Sequence, residues 1–407
     1  MPFFAFLRDN FRWLAGAFAL TFFSTFGQTS FIGGSAGHIR AEYGLSNGGW
    51  GLVYMIGTLA SALTLPHLGQ IVDRYPARKI VLFILPILAL AALLMALSHH
   101  IALLVLTIYL LRLFGQGMAP HTAYTATARW FTATRGKALS LVILGHNAGE
   151  AVLISSFVAI AAIYGWRAGW IAAAIIVIVA ALPLTAWLVA VERKPAATEI
   201  NPCVVDARDW SRGEVLRDPL FYLFMLGFMA PGFIVTVAFF HQVYLVELRG
   251  WSLTVFASAF IVWAVVNSVF TLISGQLIDR FSGLRILPFV LIPLGLAVLT
   301  LGLVEAPWAP FAFMALVGMS AGLSTTLFGA VWPEMYGVKN MGAIRAMGVS
   351  AAVLASAAGP GLTGYLIDRG VSYPGQLVAM GLYCFAACTI MAIVSRRALA
   401  RNGSVAS

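Results

Sequence analysis

The sequence predicts an all-α membrane protein of twelve transmembrane helices in two pseudo-symmetric six-helix bundles, with both termini in the cytoplasm. Three observations predict this fold class: an apolar composition, an internal repeat, and the distribution of positive charge. Of the 407 residues, 61% are hydrophobic and only 10% are charged, whereas a soluble domain has about 25% charged residues. A lipid bilayer accommodates this much apolar surface, and a soluble core does not.

Turn residues and charge clusters divide the apolar sequence into twelve stretches, each near the roughly 20 residues that cross a bilayer. The first six stretches are predicted at 12–36, 49–71, 80–98, 101–127, 137–164 and 170–191. The second six are predicted at 219–246, 253–275, 284–304, 308–331, 342–366 and 375–395. The predicted domains are therefore residues 1–191 and 219–407, joined by a cytoplasmic linker at 192–218 that holds eleven charged residues.

An internal repeat relates the two sets of spans. The segment GQIVDR at residues 69–74 recurs 206 residues later as GQLIDR at residues 275–280. Gly44 and Gly250, just before the second and eighth spans, keep the same offset, as do Gly136 and Gly342. Parallel repeats of this kind are typical of rocker-type transporters, which alternate access by moving one half against the other.

The positions of Lys and Arg fix the predicted orientation. With both termini cytoplasmic, 20 of the 25 basic residues fall in cytoplasmic segments, 4 fall on the opposite face and Arg112 lies inside a span. Positive charge favours the cytoplasmic side of a bilayer, so a multi-pass protein of the cytoplasmic (inner) membrane is expected. The basic residues form short clusters and no basic stripe, which argues against a nucleic-acid partner.

Arg112 and Glu150 are the charged residues that lie well inside the predicted spans. A rise of about 1.5 Å per residue places them roughly 24 Å and 21 Å from the cytoplasmic ends of their helices, so an ion pair between them is predicted. Ionisable groups at bilayer depth are costly and mark functional sites by default. His146, one turn before Glu150, titrates near neutrality and is expected to share a proton with it. The alternative is that these residues only hold the helices together.

Other polar and aromatic side chains in the spans are candidate substrate contacts. Gln28 and Thr29 in the first span, Gln116 in the fourth and Asn267 in the eighth can all hydrogen-bond a solute. An aromatic wall is expected from Trp263 and Trp332, and His241 ends the seventh span towards the outer face as a candidate entrance. For each of them, hydrogen bonding between helices, packing or an interfacial position is the competing interpretation.

The repeated loop motif is a candidate conformational latch, because a carboxylate at a helix end can pair with arginine in one state and release it in another. In the first half the motif residues are Gly69, Asp73, Arg74, Arg78 and Lys79. In the second half they are Gly275, Asp279 and Arg280. The alternative is a polar turn with positive anchors.

These motifs resemble a known family. The pattern Gly-x-x-x-Asp-Arg-x-x-x-Arg-Lys at residues 69–79 is similar to the signature of the major facilitator superfamily, and RLFGQG at 112–117 resembles its second motif. The resemblance covers essentially the whole chain and implies the major facilitator fold. It also implies that the first, fourth, seventh and tenth spans line a central cavity, which favours Gln28 and Gln116 as cavity residues.

A narrower resemblance points to the substrate class. RWF at 129–131, RGKAL at 135–139, GAIR at 342–345 and GYLIDR at 364–369 resemble the monocarboxylate porter and oxalate/formate antiporter branch. That branch implies a small organic acid, commonly bound by basic residues in the eighth or eleventh span. Here the eighth span has Trp263 and Asn267 instead, and the eleventh has no basic residue beyond its cytoplasmic start.

The expected function is secondary active transport of a small organic acid across the membrane, coupled to protons and requiring no cofactor or metal. No phosphate-binding loop occurs in the sequence, so the energy is expected from a gradient, and no enzyme-like constellation of residues is found. The alternatives are import or export of a neutral or aromatic compound, as in nutrient uptake or drug efflux, and, more remotely, a non-transporting solute sensor. The chain is expected to function as a monomer.

Overall fold

A computed structural model describes residues 3–131, 134–193, 209–337 and 340–403. Every regular element within these ranges is a helix, as the composition predicts. The helices form two compact units: residues 1–202 with 242–244, and residues 203–241 with 245–407. We call spans one to six the first half and spans seven to twelve the second half.

The first half is built from long helices, with a break in the first span and π-helical stretches in the fourth and sixth spans. The first span comprises Phe3–Phe23, a 3₁₀ turn at Ser24–Gly27 and Thr29–Gly33, and Ala36–Tyr43 follows it. The remaining helices are Asn47–Leu68, Ile71–Arg74, Ala77–Leu97, Ile101–Leu110, Ala119–Trp130, Arg135–Tyr164, Trp166–Ile176 and Leu182–Leu188. Short π-helical stretches at Leu111–Met118 and Val177–Ala181 make the fourth and sixth spans continuous.

The second half repeats this order with fewer interruptions. Its helices are Arg212–Val215, Pro219–Phe240, Gln242–Arg249, Leu253–Ser258, Phe260–Phe281, Gly283–Ile286, a 3₁₀ turn at Leu287–Phe289, Ile292–Leu303, Ala309–Tyr336, Met341–Asp368 and Tyr373–Gly403. Eleven helices of the described residues are long and apolar enough to cross a membrane. The first span is not among them, because its apolar stretch is divided near Gln28 and its first helix carries three charged residues (Arg8, Asp9 and Arg12).

The first span crosses the fourth at two glycines. A β-carbon added to Gly27 would lie 2.2 Å from the carbonyl oxygen of Leu111 and 2.6 Å from the Cα of Gly115. No side chain fits such an approach of backbone to backbone, and small residues are the usual means of close helix contact in membranes. This crossing brings the interrupted part of the first span against the π-helical part of the fourth.

The fifth span covers another face of the first span. Gly145 and Gly149, four residues apart, pack against the carbonyl oxygens of Phe18 and Phe22. Thr21 adds a hydrogen bond of 2.7 Å from its hydroxyl to the carbonyl oxygen of Val142. The first span is therefore held between the fourth and fifth spans, which carry Arg112 and Glu150.

Matching glycines support the repeat that the sequence predicts. Gly44 ends the helix Ala36–Tyr43 with φ +61°, and Gly250 ends Gln242–Arg249 with φ +63°. These left-handed conformations disfavour residues with a β-carbon. The chain thus turns in the same way before the second span and before the eighth, at residues 206 apart in the sequence.

We expect Gly27→Ala to lower thermal stability strongly. The added methyl group meets backbone atoms, which cannot move aside, and overpacking costs about 1–3 kcal/mol or more. A fall in apparent Tm of roughly 5 °C or more is expected, measured by the intrinsic fluorescence of purified protein in detergent during heating. The control is Gly275→Ala, since a β-carbon there meets nothing within 4 Å. Equal shifts in the two variants would contradict the close crossing.

Candidate functional site

The candidate site lies at the break in the first span. Residues Ser24–Gly27 form a tight 3₁₀ turn, and Gln28 is extended at φ −78° and ψ 153° before helix resumes at Thr29. Irregular backbone at membrane depth is tolerated only where protein or a cavity satisfies its polar groups. Interrupted hydrophobic segments of this kind are the best pointers to binding sites in transporters.

Arg112, on the fourth span, donates hydrogen bonds to polar groups of this break. It is buried, with 4% of its surface exposed. Its Nη1 donates hydrogen bonds to the Thr29 hydroxyl at 3.0 Å and, less closely, to the Gly27 carbonyl oxygen at 3.5 Å. The guanidinium also lies 5.2 Å from the centre of the Tyr54 ring, and the Tyr54 hydroxyl is 2.5 Å from that of Thr29.

The guanidinium of Arg112 is only partly used by these contacts. Arginine offers five N–H donors in a fixed fork, and the hydrogen bonds to Thr29 and Gly27 use Nη1 alone. Its Nε has no hydrogen-bond partner in the described part of the chain. Buried polar atoms are nearly always paired, so an unpaired donor calls for an explanation such as a ligand or water.

Glu150 contacts the next residue of the same break. Its side chain is 4% exposed, and its Oε1 accepts a hydrogen bond of 2.6 Å from the Ser30 hydroxyl. His146, half-buried one turn earlier on the fifth span, interacts electrostatically with this carboxylate. The carboxylate and its titratable neighbour therefore lie together, as the sequence predicts from their spacing.

The ion pair predicted between Arg112 and Glu150 does not form in the described structure. Each side chain instead bonds to the first span, Arg112 at Thr29 and Glu150 at Ser30. Arg112 and Glu150 lie on the fourth and fifth spans, as predicted, but they do not contact each other because the first span lies between these two helices. The two charges are coupled through consecutive residues of the broken segment and not directly.

Two glutamines complete the polar surroundings of the crossing. Gln28 is buried within the break itself, and Gln116 is half-buried one turn after Arg112. The β-carbon position of Gly27 lies 2.8 Å from the backbone nitrogen of Gln116, so the two segments touch. Neither side-chain amide makes a hydrogen bond to another described residue, which leaves both available to a solute.

The sequence candidates of the eighth span lie at a helix crossing in the second half. Trp263 and Asn267 are buried, and Gly318 and Gly322 of the tenth span pack against their carbonyl oxygens. The Asn267 Oδ1 accepts a hydrogen bond of 3.4 Å from Thr271. These contacts are typical of residues that hold two helices together.

His241 and Trp332 are also buried within the second half. The Nε2 of His241 lies 3.3 Å from the Pro360 carbonyl oxygen, and its ring centre lies 5.4 Å from that of Tyr373. This burial is typical of a packing residue rather than an open entrance. Trp332 packs edge to face against Phe224 and Phe228, with ring centres 4.8 Å and 5.4 Å away.

The repeated loop motif is exposed where the structure describes its side chains. Arg74, Arg78, Lys79 and Arg280 are exposed, while the side chains of Asp73 and Asp279 lie outside the described residues. The two glycines differ: a β-carbon on Gly69 would lie 3.2 Å from the His121 ring, and one on Gly275 would meet open space. The latch therefore remains a prediction.

Sequence reasoning missed Tyr54 and Ser30, which complete the contacts of Thr29 and Glu150. Both residue types are common in helices, so only their neighbours in the sequence could indicate that they belong to the site. The available signal was position: Ser30 follows Thr29 in the first span, and Tyr54 is one of several hydroxyl-bearing residues in the second span. The described residues contain no group of three or more His, Cys, Asp or Glu side chains that could hold a metal ion.

Comparison with known proteins agrees with this architecture. The family model of the Major Facilitator Superfamily matches residues 17–360, and a search of curated protein sequences finds no match. The fold is similar to crystal structures of a bacterial homologue of the human lysosomal transporter Spinster. In its inward-facing, unoccupied conformation the TM-score is 0.72 at 15% identity, over 99% of this chain and 98% of that one.

A second solved structure of that homologue, inward-facing and occupied, gives a TM-score of 0.65 at 17% identity, over 99% of this chain and 94% of that one. At these identities the likeness shows the fold alone. The match over residues 17–360 confirms the superfamily predicted from the motifs, whereas the narrower monocarboxylate branch stays a prediction. The chain belongs to the Major Facilitator Superfamily and is an integral, multi-pass membrane transporter, not an enzyme.

Proposed function

We propose that this transporter moves a small organic acid across the cytoplasmic membrane by alternating access, together with a proton. The observation that carries the proposal is the buried, incompletely paired guanidinium of Arg112 beside the break in the first span. The resemblance to the monocarboxylate porter branch supports the same substrate class. The protein acts as a monomer in this proposal.

Arg112 is the proposed anion-binding group. A guanidinium matches the two oxygens of a carboxylate with parallel hydrogen bonds, and its free Nε–H can form one of them. The aromatic face of Tyr54 and the Thr29 hydroxyl keep the guanidinium in place without neutralising its charge. Gln28 and Gln116 supply neutral hydrogen bonds to the remainder of the solute.

Glu150 is the proposed proton carrier, with His146 as its neighbour. A carboxylate buried at membrane depth is costly while charged and much less so when protonated. Because Glu150 and Arg112 hold consecutive residues of the break, a change of charge at one alters the segment that the other binds. The repeated loop motif is proposed as the latch that differs between the access states.

Counterflow in proteoliposomes tests this function. Vesicles preloaded with unlabelled lactate are expected to take up labelled lactate, whereas lactamide, the neutral amide of similar shape, is expected to exchange at the background rate. Exchange of lactamide as fast as lactate would favour a carrier of neutral compounds. Binding without exchange of either solute would favour a sensor.

A further inference from the structure

A pocket in the second half has features that the proposed function does not use. It has a volume of about 260 Å³ and lies between the seventh, tenth and eleventh spans. Pockets for drug-sized ligands run from about 300 to 1,000 Å³, whereas a cavity of about 150 Å³ holds benzene. The pocket therefore has room for one aromatic ring with a short polar group at each end.

Three aromatic side chains form a fixed wall. The ring centres of Phe228 and Phe328 are 4.8 Å apart, and those of Phe228 and Trp332 are 5.4 Å apart, all edge to face. Such pairs add about 0.5–1.5 kcal/mol beyond the area they bury, which favours this arrangement of the rings. The three rings cannot be rearranged without losing these contacts. The wall that they form complements a flat ring.

One end of the pocket carries an unpaired hydroxyl. Ser324 is buried, with 6% of its surface exposed, and its Oγ has no hydrogen-bond partner among the described residues. Serine inside a helix commonly bonds back to a carbonyl one turn earlier, as the adjacent Thr325 does to Ala321 at 2.8 Å. Ser324 thus differs from its neighbour and offers its hydroxyl to a ligand.

The other end of the pocket carries an exposed guanidinium. Arg345 lines the pocket and makes no hydrogen bond or ion pair with the described residues. It lies near the N-terminal end of the helix Met341–Asp368, whose first turn has no acidic residue. A cation there gains nothing from the helix dipole, so an anion is the missing partner.

The two polar groups lie on either side of the aromatic wall. Ser324 and Trp332 are eight residues apart on the tenth span, or about 12 Å. The ring of Trp332 lies against Gly348, one turn after Arg345 on the eleventh span. Ser324 and Arg345 are therefore at opposite ends of the aromatic wall.

We propose that this pocket is a second solute site, which binds a one-ring aromatic carboxylate that carries a hydroxyl group on the ring. The carboxylate pairs with Arg345, the ring lies against Phe228, Phe328 and Trp332, and the ring hydroxyl bonds to Ser324. The inference goes beyond the proposed function, because every residue of this site belongs to the second half.

Calorimetric titration of the purified full-length protein in detergent tests the site, with 4-hydroxyphenylacetate as the probe. We expect binding about tenfold tighter than that of phenylacetate, which lacks the ring hydroxyl, or of 4-hydroxyphenylacetamide, which lacks the charge. Ser324→Ala is expected to remove the preference over phenylacetate, and the adjacent Thr325→Ala to keep it. Equal affinities for all three probes in the wild type would overturn the proposal.

A filling variant makes the test independent of folding defects. A β-carbon on Gly329, at the wall of the pocket, meets nothing within 4 Å, so the side chain of Gly329→Leu begins in open space beside the pocket, and leucine suits the helix. We expect Gly329→Leu and Arg345→Gln to lose at least about tenfold in affinity for 4-hydroxyphenylacetate. The exposed Arg396→Gln is the matched control and is expected to bind normally. Normal binding by Gly329→Leu would overturn the site.

Arg112→Gln separates this site from the transport site. If the second site is correct, this variant still binds 4-hydroxyphenylacetate at Arg345 with the affinity of the wild type. Loss of that binding in Arg112→Gln would mean that the probe occupies the first half, which would overturn the second site and leave the proposed function in place.

Discussion

Replacement of Arg112 by Gln is expected to weaken binding of the transported acid by roughly 10- to 150-fold. Hydrogen bonds to charged groups contribute about 1.5–3 kcal/mol, which corresponds to this range of affinity. Glutamine keeps part of the length and polarity of the side chain, but it has neither the charge nor the fork. Arg112→Lys keeps the charge and is expected to recover only part of the loss, because lysine cannot bind a carboxylate with two parallel bonds.

The measurement is lactate binding by the folded fraction of each variant, isolated by size-exclusion chromatography. Thr29→Val is the structural control, because it removes the hydroxyl that receives the 3.0 Å bond from Arg112 and leaves the guanidinium intact. We expect Thr29→Val to lower the Tm and to weaken binding much less than Arg112→Gln, because the charge remains and the Tyr54 ring still holds the guanidinium. Wild-type affinity in folded Arg112→Gln would reduce Arg112 to a residue that only holds the first span.

The helical membrane fold could be predicted because its signals are additive over many residues. Apolar length, positive charge and the 206-residue repeat each sum contributions from the whole chain, and local exceptions do not disturb them. Gly44 and Gly250 show this well, since their matched positions correspond to matched left-handed turns. The break near Gln28 could not be predicted, because Phe26, Gly27 and Gln28 do not include a helix-breaking proline.

The hydrogen-bonding partners of Arg112 and Glu150 could not be predicted either, because both partners lie next to that break. Depth along two helices can be estimated from the rise per residue, but the angular position of each side chain and the helix between them cannot. The first span fits between the fourth and fifth because Gly27, Gly115 and Gly149 allow close approach. Hydrogen bonds to Thr29 and Ser30 therefore replaced the predicted ion pair.

Repeated motifs also proved to have unequal surroundings. Asp9 is exposed and pairs with the neighbouring Arg8 at 3.1 Å. The same three residues, Leu-Arg-Asp, precede the predicted first span at 7–9 and the predicted seventh span at 216–218. The second aspartate, Asp218, is buried, accepts a hydrogen bond from the backbone of Leu220 and pairs with Arg401 at 2.8 Å. The repeat predicts that the same residue type occurs at both positions. It does not predict the surroundings of that residue, which depend on neighbouring helices whose sequences differ between the two halves.

Replacement of Glu150 by Gln is expected to abolish coupling to protons while leaving exchange of the acid intact. Glutamine resembles the protonated, neutral carboxyl, and its oxygen can still accept the 2.6 Å hydrogen bond from Ser30. The break in the first span should therefore keep its structure, and Arg112 should keep its ligand. Only the charge that a proton neutralises during the transport cycle is removed.

The size of the effect follows from the energy of a proton gradient. One pH unit is worth about 1.4 kcal/mol per proton, which supports roughly tenfold accumulation of a solute that moves with one proton. Wild-type vesicles with an acidic exterior are expected to reach this ratio. Glu150→Gln vesicles are expected to stop near equal concentrations, while their counterflow stays close to that of the wild type because the break keeps its hydrogen bond from Ser30. Glu305→Gln, at an exposed site, is the control for loss of a carboxylate and is expected to accumulate normally.

The central claim is that a proton and an organic acid share the broken segment of the first span. Its most direct test is steady-state accumulation of labelled lactate in proteoliposomes under an imposed gradient of one pH unit, in the wild type and in Glu150→Gln. We expect roughly tenfold accumulation in the wild type and none in the variant, with counterflow preserved in both. Equal accumulation in the two proteins would contradict it.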